Sequence, residues 1–223
     1  MQQYKNLLLI GTSHISRESI KEVGETIRKI RPEIVALELD ERRLKGLLTK
    51  EKGQISISLI KQVGIKGYIF ARIGHYAEQN MGKYVGVSPG EEMITAYESA
   101  KEISAKISLI DQNIEVTLKR FSKAITWKEK FRFLKELIKA PFTKNKIEID
   151  LSKVPEKEFI INMLKQVKEM YPNFYKVLIT ERNNYMSKKL FVLMKNFKSI
   201  VAVVGAGHEL EIIEEIKKLE KSN

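Results

Sequence analysis

Two short aliphatic runs, separated by one amphipathic segment, constrain the fold of this chain more than any other feature. The first run spans residues 5–10 and the second, EIVALEL, spans 33–39. Both are short and rich in strand-forming residues, so we predict two buried strands. Between them, residues 16–30 carry isoleucine and valine at helical spacing and end before Pro32. A strand, a helix and a strand of this length form a βαβ unit, so we expect the two strands to be parallel and adjacent.

Two later segments have the same strand character. They are KISLI at 106–110 and SIVAVV at 199–204, and the second is followed by a glycine-rich turn and another helix. Most of the sequence between about 53 and 195 has helical periodicity. We therefore predict an α/β fold with a central, mostly parallel sheet, flanking helices and a helical insertion in the middle of the chain. One domain of residues 1–223 would contain all of it.

Within the helical insertion, two segments have clear helix signals. Ser88-Pro89-Gly90-Glu91 resembles a capping box, which predicts a helix to about Ala105. Residues 113–140 predict two basic helices. The apolar side chains assigned to the inner face of these two helices are Phe121, Ile125, Phe131, Leu134 and Ile138.

The segment 53–90 holds seven of the twelve glycines among apolar stretches. This composition predicts helices with loose turns. A lid, a pocket wall and a homodimer surface remain alternatives for it.

The formal charge of +12 is concentrated in one segment. Between Lys119 and Lys146 there are ten Lys or Arg residues and two Glu residues. A solvated helix face is the simplest interpretation, and an anionic membrane surface or an acidic partner is the alternative. No zinc-finger spacing or RNA-binding aromatic pattern accompanies the charge, which argues against nucleic acid.

The absence of cysteine excludes disulfides, thiolate catalysis and cysteine-bound zinc. The most apolar stretches, 7–10 and 63–73, are too short for a signal peptide or a membrane span. We therefore expect a chain without either segment.

Two of the three histidines occupy equivalent positions after predicted strands. His14 ends Gly-Thr-Ser-His and His208 ends Gly-Ala-Gly-His, while Glu38 ends the second strand. Ligands bind beyond the carboxyl ends of parallel strands, so we expect these turns to face one crevice. A histidine near a helix N-terminus stays neutral, which suits metal binding or proton acceptance. His75 lacks such a setting and is interpreted as structural or exposed.

His14, His208 and Glu38 together form a ligand set typical of manganese, cobalt or zinc. Such an ion would lower the pKa of a bound water. Without an ion, the same groups could act as a His/Glu acid–base pair. We expect no organic cofactor.

The remaining charged candidates have ordinary structural interpretations when taken alone. Arg43 and Arg120 would be surface charges, and Glu181 with Arg182 would be a solvated pair on a helix. Glu92, in a first helical turn, is a surface acid favoured by the helix dipole or a functional group.

Six segments in order resemble the TraB family, also called the TraB/PrgY/GumN or TIKI-like group. They are GTSHISRESIKEV, EIVALELDERR, SPGEEMITAYESAK, LIDQNIEVTLKR, ITERNNYM and VAVVGAGHELEI. The resemblance covers about 200 residues, so we identify the chain as a member. It implies a fold similar to erythromycin esterase and ChaN-like proteins.

The resemblance also implies an activity and a set of site residues. TIKI members are regarded as metal-dependent proteases, and bacterial members shut down peptide sex pheromones. By this likeness His14, His208 and Glu38 would bind a metal and Glu92 would be the general base. The substrate carboxylate or the oxyanion would be held by arginines, with Glu181 orienting one of them. These arginines are Arg43, Arg120 and Arg182.

The leading hypothesis is thus a metal-dependent hydrolase of the peptidase type, acting on a peptide or small molecule. The alternative is a protein that binds a peptide without turnover, with the basic helices as its interaction surface. Many eukaryotic relatives have cysteine where this chain has Asp40, so any role of that thiol is absent. Because prokaryotic relatives often continue into membrane helices, we expect a cytoplasmic or membrane-tethered soluble domain.

Overall fold

The computed structural model describes residues 1–12, 17–49, 88, 90–129, 131–132 and 157–222, together with residues 60, 61, 64, 65, 68 and 72. Over these residues, no helix combines the length and the hydropathy that a membrane span requires. Nearly all of the glycine-rich segment 53–90 lies outside them, as does His14.

The described residues form five strands and a series of helices that alternate along the chain. The strands are β1 Gln2–Tyr4, β2 Leu7–Thr12, β3 Ile34–Leu37, β4 Lys106–Leu109 and β5 Ile200–Gly205. The helices before β4 are α1 Arg17–Ile30, α2 Glu41–Thr49 and α3 Glu91–Glu102. The helices after β4 are α4 Ile114–Ala124, α5 Lys157–Met170, α6 Pro172–Tyr175, α7 Glu181–Asn196 and α8 Ala206–Lys221.

The strands form one sheet in the order β1-β2-β5-β3-β4. All pairs are parallel except β1 with β2, which confirms the mostly parallel sheet with flanking helices. The expectation that β2 and β3 are adjacent is wrong, because β5 lies between them. Every residue of β5 is buried, as a central strand covered on both faces requires.

The sheet has an apolar cluster on each face. On one face, Met186 and Leu190 of α7 and Ile212 of α8 pack against alternate strand residues. On the other face, Val23 of α1 and Met93 of α3 pack against the remaining ones. Neighbouring residues of one strand point to opposite faces, so continuous aliphatic runs supply both clusters.

The strand predicted at residues 5–10 is β2, which begins two residues later, at Leu7, and is preceded by the short strand β1. Tyr4 pairs with Leu7 across a tight turn in which Lys5 has a φ of 52°, so β1 and β2 form a hairpin. Gly11, the residue after the predicted run 5–10, lies inside β2. In the register of this parallel pair it lies opposite Val204 of β5.

One long helix runs from α6 through α7 with a change of geometry inside it. Residues Lys176–Thr180 form a π-helix, and the Glu181 amide donates to the carbonyl of Lys176, five residues earlier. Pro172 sits at the start of α6, where its missing N–H costs nothing. The π-helical turn ends two residues before Arg182.

The helical insertion agrees with the sequence in part. The Ser88 amide donates to the Glu91 carboxylate at 3.1 Å, as in a capping box, although the helix itself begins at Glu91. Phe121 is buried as predicted, but Phe131 is 65% exposed, so its assignment to an inner face is wrong. Helical spacing identifies which side chains share a face and not what covers that face. Leu134 and Ile138 lie outside the described residues.

Candidate active site

The carboxyl ends of four parallel strands meet at one edge of the sheet. Thr12, the last residue of β2, pairs with Gly205, the last residue of β5. Neighbouring strands lie about 4.8 Å apart, so the turns that lead to His14 and His208 start side by side. Glu38 follows β3, and Asp111 follows β4 by two residues. The strand ends that lead to His14 and His208, and the residues Glu38 and Asp111, therefore share one edge.

Four side chains meet at this edge, and we call them the edge cluster: Glu38, Asp111, Arg182 and His208. The Arg182 guanidinium lies at the centre. It forms a bidentate pair with Asp111, through Nε at 3.1 Å and Nη2 at 2.6 Å. Glu38, Asp111 and His208 are each 4–5% exposed.

Arg182 uses all five of its N–H donors inside the protein. Nη2 also donates to Glu38 Oε1, and Nη1 donates to the Leu178 carbonyl at 3.3 Å and contacts His208 Nε2 at 3.1 Å. Burial by itself would lower the pKa of Arg182, but the charges of Glu38 and Asp111 outweigh burial and raise it. Arg182 is therefore a permanent cation that binds the two carboxylates together.

Glu38 connects the cluster to the central strand. Its Oε2 accepts a hydrogen bond from the Gly205 backbone amide at 2.6 Å. Its Oε1 lies 3.4 Å from His208 Nε2. His208 is in the first turn of α8, where the helix dipole disfavours imidazolium.

A second arginine holds Asp111 from the other side. Arg43, in α2, donates to Asp111 through Nη2 and to Asp40 through Nε at 3.0 Å. Asp40 also accepts the amide of Arg43 at 2.9 Å and that of Ile114 at 3.0 Å, so it caps α2 and anchors the start of α4. Three carboxylates and two guanidinium groups thus give this edge a formal charge of −1 with His208 neutral.

The other arginine predicted for the site forms a separate pair. Arg120 of α4 is bound bidentately by Glu181, with Nε–Oε2 at 2.5 Å and Nη2–Oε1 at 2.8 Å. Arg120 is 56% exposed, and Glu181 immediately precedes Arg182 on α7. The hydrogen bond and the charge of Glu181 raise the pKa of Arg120. Glu181 therefore orients Arg120 and not its sequence neighbour.

Glu92 is fully buried in the first turn of α3. α3 ends shortly before β4 begins at the amino edge of the sheet, and its twelve residues span about 18 Å. Its first turn therefore lies toward the carboxyl edge. Its role as general base stays a prediction.

The described residues contain no group of three His, Asp or Glu side chains that could hold one metal ion. Two of the three predicted ligand atoms do converge, because His208 Nε2 and Glu38 Oε1 are 3.4 Å apart. Ligand atoms of a tetrahedral zinc are separated by about 3.3 Å, given bonds of about 2.0–2.1 Å. The pair is thus suited to a common ion, but Arg182 contacts both atoms, and His14 lies outside the described residues.

A groove of about 660 Å³ reaches the two turns from the side of α1. Gly11, Ala206 and Glu209 line its end, and acidic and basic residues of α1 line its wall. None of the four residues of the edge cluster lines this groove.

Sequence reasoning missed part of this arrangement. The predicted site does not include Asp111, although its position directly after the predicted strand 106–110 was a usable signal. Asn183 contacts His208 at 2.5 Å and was seen only as part of ITERNNYM. Glu209, buried beside Gly11, had no signal beyond its place after His208.

The TraB/PrgY/gumN family model matches residues 2–223. An uncharacterized protein of Methanocaldococcus jannaschii is 38% identical over 224 residues, which cover 98% of this chain and 55% of that protein. Proteins named TraB domain-containing protein in Bos taurus and Homo sapiens are 25% and 24% identical over 228 residues. These matches cover 90% of this chain and 59% and 60% of the two relatives, so the chain spans little more than half of their length. The resemblance read from the six segments is thereby confirmed, and the chain belongs to the TraB/PrgY/gumN family.

Proposed function

We propose that this domain is a hydrolase of the peptidase type whose reaction centre is the edge cluster. The observation that carries the proposal is the buried convergence of Glu38 Oε1 and His208 Nε2, 3.4 Å apart at the carboxyl edge of the sheet. Buried titratable groups at this edge of an α/β sheet are typical of active sites.

A divalent metal, manganese, cobalt or zinc, would be held by Glu38, His208 and His14. When bound, such an ion lowers the pKa of a water molecule and polarises a carbonyl. The chain would have to release the contacts of Arg182 with Glu38 Oε1 and His208 Nε2 before either atom could serve as a ligand. Without a metal, Glu38 and His208 would form an acid–base pair.

The arginines would contribute differently to substrate binding. All five donors of Arg182 are engaged within the protein, so this residue is better suited to holding Glu38 and Asp111 in place. Arg120 is more than half exposed and rigidly oriented by Glu181, which suits the capture of a substrate carboxylate. Arg43 would assist from α2. A groove of about 660 Å³ has room for a peptide segment or a small molecule.

The test combines metal content with peptide cleavage. The purified chain would be stripped with EDTA, reloaded separately with Mn²⁺, Co²⁺ or Zn²⁺, and incubated with a proteome-derived peptide library read by mass spectrometry. We expect about one ion per chain and metal-dependent cleavage. His208→Gln, His14→Gln and Glu38→Gln should each reduce both at least tenfold. The controls are His75→Gln and the exposed Glu214→Gln, which should leave both unchanged.

The other outcomes distinguish the alternatives. Cleavage that survives EDTA but requires His208 and Glu38 would identify the metal-free acid–base pair. Peptide binding without cleavage under any metal would identify a sequestering protein. Unchanged metal content and cleavage in all three site variants would place the reaction elsewhere.

A further inference from the structure

The ring of His208 is held on the side that faces away from Glu38 by a chain of hydrogen bonds. His208 Nδ1 lies 2.5 Å from Asn183 Oδ1, and Asn183 Nδ2 donates to Glu211 Oε2 at 2.7 Å. The other oxygen of Glu211 accepts the Tyr175 hydroxyl. We call Asn183, Glu211 and Tyr175 the relay; Asn183 is 1% exposed and Tyr175 is 4% exposed, and Glu211 between them is half-buried.

The far end of the relay fixes the direction of every hydrogen bond in it. An ionised carboxylate only accepts hydrogen bonds, so the Asn183 amide must turn its NH2 group to Glu211. The amide oxygen then faces His208, and Nδ1 must carry the proton. Burial, together with the hydrogen bond and charge of Glu211, raises the pKa of Tyr175, which therefore stays a donor.

The opposite side of the ring leads to the same result independently. A guanidinium only donates hydrogen bonds, so at Nη1···Nε2 the Arg182 group is the donor and His208 Nε2 is the acceptor. Two groups of fixed polarity, Glu211 at one end and Arg182 at the other, thus each favour the same tautomer.

We propose that Asn183 and Glu211 are positioning residues that hold His208 as the neutral Nδ1–H tautomer, with its Nε2 lone pair directed at the Glu38 side of the edge cluster. Catalytic and metal-binding histidines are commonly oriented by a partner on the other ring nitrogen. Here an amide stands between the histidine and the carboxylate. The consequence for metal binding and cleavage rests on the proposed function, whereas the tautomer itself does not.

The direct test is nitrogen NMR of the full chain labelled at histidine. The chain has three histidines, so the signals of His208 can be assigned with His14→Gln and His75→Gln. We expect a protonated-type shift at Nδ1 and an unprotonated-type shift at Nε2. Asn183→Leu removes the acceptor, and Glu211→Gln frees the amide to turn. Only Arg182 then favours Nδ1–H, so both variants should show a larger Nε2–H population than the wild type.

Glu214 lies on the exposed face of α8, the helix that also carries Glu211, so Glu214→Gln is the matched control. Its nitrogen shifts should equal those of the wild type. A folded state is verified for each variant by circular dichroism, and Glu211→Gln, at a half-buried position, serves if Asn183→Leu does not fold. In a second readout, affinity for Mn²⁺ or Co²⁺ should fall 10- to 100-fold in Asn183→Leu and Glu211→Gln.

An Nε2–H tautomer in the wild type overturns the proposal, as do unchanged shifts in both Asn183→Leu and Glu211→Gln. Suppose that the shifts move as expected but that neither the wild type nor any variant binds metal or cleaves peptide. The positioning role is then supported and the proposed function fails. If the wild type binds metal and cleaves peptide while both variants keep their affinity and tautomer, the proposed function stands and the positioning role fails.

Discussion

Gly11 occupies a position with no room for a side chain. A Cβ atom there would lie 2.3 Å from Glu209 Oε2 and 3.2 Å from the Ala206 Cα atom. The glycine thus permits the close approach of the β2 and α8 turns, and its backbone φ is not in the left-handed region. Glycine serves either a left-handed backbone conformation or a close approach, and at Gly11 the close approach is the reason.

We expect Gly11→Ala to lower the free energy of unfolding by about 1–3 kcal/mol, because the added methyl must displace a buried carboxylate and backbone. Gly46→Ala is the matched control. It lies inside α2 with open space around its Cα, so it should be neutral or stabilise by up to about 1 kcal/mol. Urea denaturation of both variants measures the difference, and equal stabilities would contradict the steric account.

Arg182 should matter to stability far beyond an ordinary surface arginine. Arg182→Leu leaves the buried carboxylates of Glu38 and Asp111 without their shared cation, so we expect a loss of about 3–5 kcal/mol. Arg182→Lys keeps the charge with fewer donors, so its loss of stability should lie between zero and that of Arg182→Leu. Arg120→Leu breaks an exposed pair and should cost much less. Equal losses in urea denaturation for Arg182→Leu and Arg120→Leu would show that the edge cluster does not hold the fold together.

Part of the site could be predicted from single residues and part could not. Glu38 and His208 each end a strand or follow it directly, and parallel strands bring such residues to one edge. Arg182 lies in a helix, where composition favours a solvated pair with Glu181. Arg182 instead pairs with Glu38 and Asp111. Glu181 pairs with Arg120. Those pairings depend on how α7 packs, which periodicity does not specify.

At the level of elements, the sequence predicts the strands better than their order. The aliphatic runs identify β2, β3, β4 and β5 to within a few residues. Nothing in the βαβ spacing indicates that the last strand of the chain lies between β2 and β3. β3 and β5 are both buried at every residue, so burial alone does not distinguish their places in the sheet.

Glu129 connects its own segment to α6 through hydrogen bonds from Thr126 and Asn173. We expect the stability that these hydrogen bonds contribute to depend on pH. The Glu129 carboxylate accepts the Thr126 amide at 3.0 Å and the Asn173 amide at 2.8 Å. Burial alone would raise the pKa of Glu129, but the hydrogen bonds from Thr126 and Asn173 together lower it below its ordinary value. A depressed pKa means that the ionised form stabilises the fold, and that this stabilisation disappears as the pH falls through the folded-state pKa.

We therefore expect Glu129→Gln to be less stable than the wild type at neutral pH, by a margin that is constant down to about pH 4.3, the ordinary glutamate pKa. Below that value the margin should shrink toward zero. Thermal unfolding across pH 3–7 would measure it. The exposed Glu98→Gln is the control and should show no such margin. A margin independent of pH would show that shape, and not charge, is what Glu129 contributes.

At the scale of the whole molecule, the charge of +12 is unevenly placed. Lys119, Lys123 and Lys128 are exposed in the basic segment that begins at α4. If this segment binds an anionic surface, each lysine contributes about 1 kcal/mol, so reversing all three to glutamate should weaken binding to phosphatidylserine vesicles roughly 100-fold. Vesicle pelleting at low salt measures the change, and added salt should weaken binding of the wild type.

The control for that experiment reverses three exposed lysines elsewhere, Lys29, Lys45 and Lys188. The net charge of both triple variants is the same, so a loss confined to the first identifies a localised surface. Equal losses would mean that only the overall charge matters, and no binding by the wild type would leave the solvated helix face as the explanation of the basic segment.

The π-helical turn at Lys176–Thr180 means that the long helix contains one residue more than an α-helix needs to cover the same distance. Deleting a single residue there would let the turn close to ordinary α geometry and leave the residues beyond it facing nearly the same way, because the turn holds its extra residue within nearly the same rotation. Arg182 and Asn183 would then stay at the end of β5. A homologue could lack one codon in this turn and keep every functional side chain in place, so a gap in a sequence alignment at this turn does not mark a broken site.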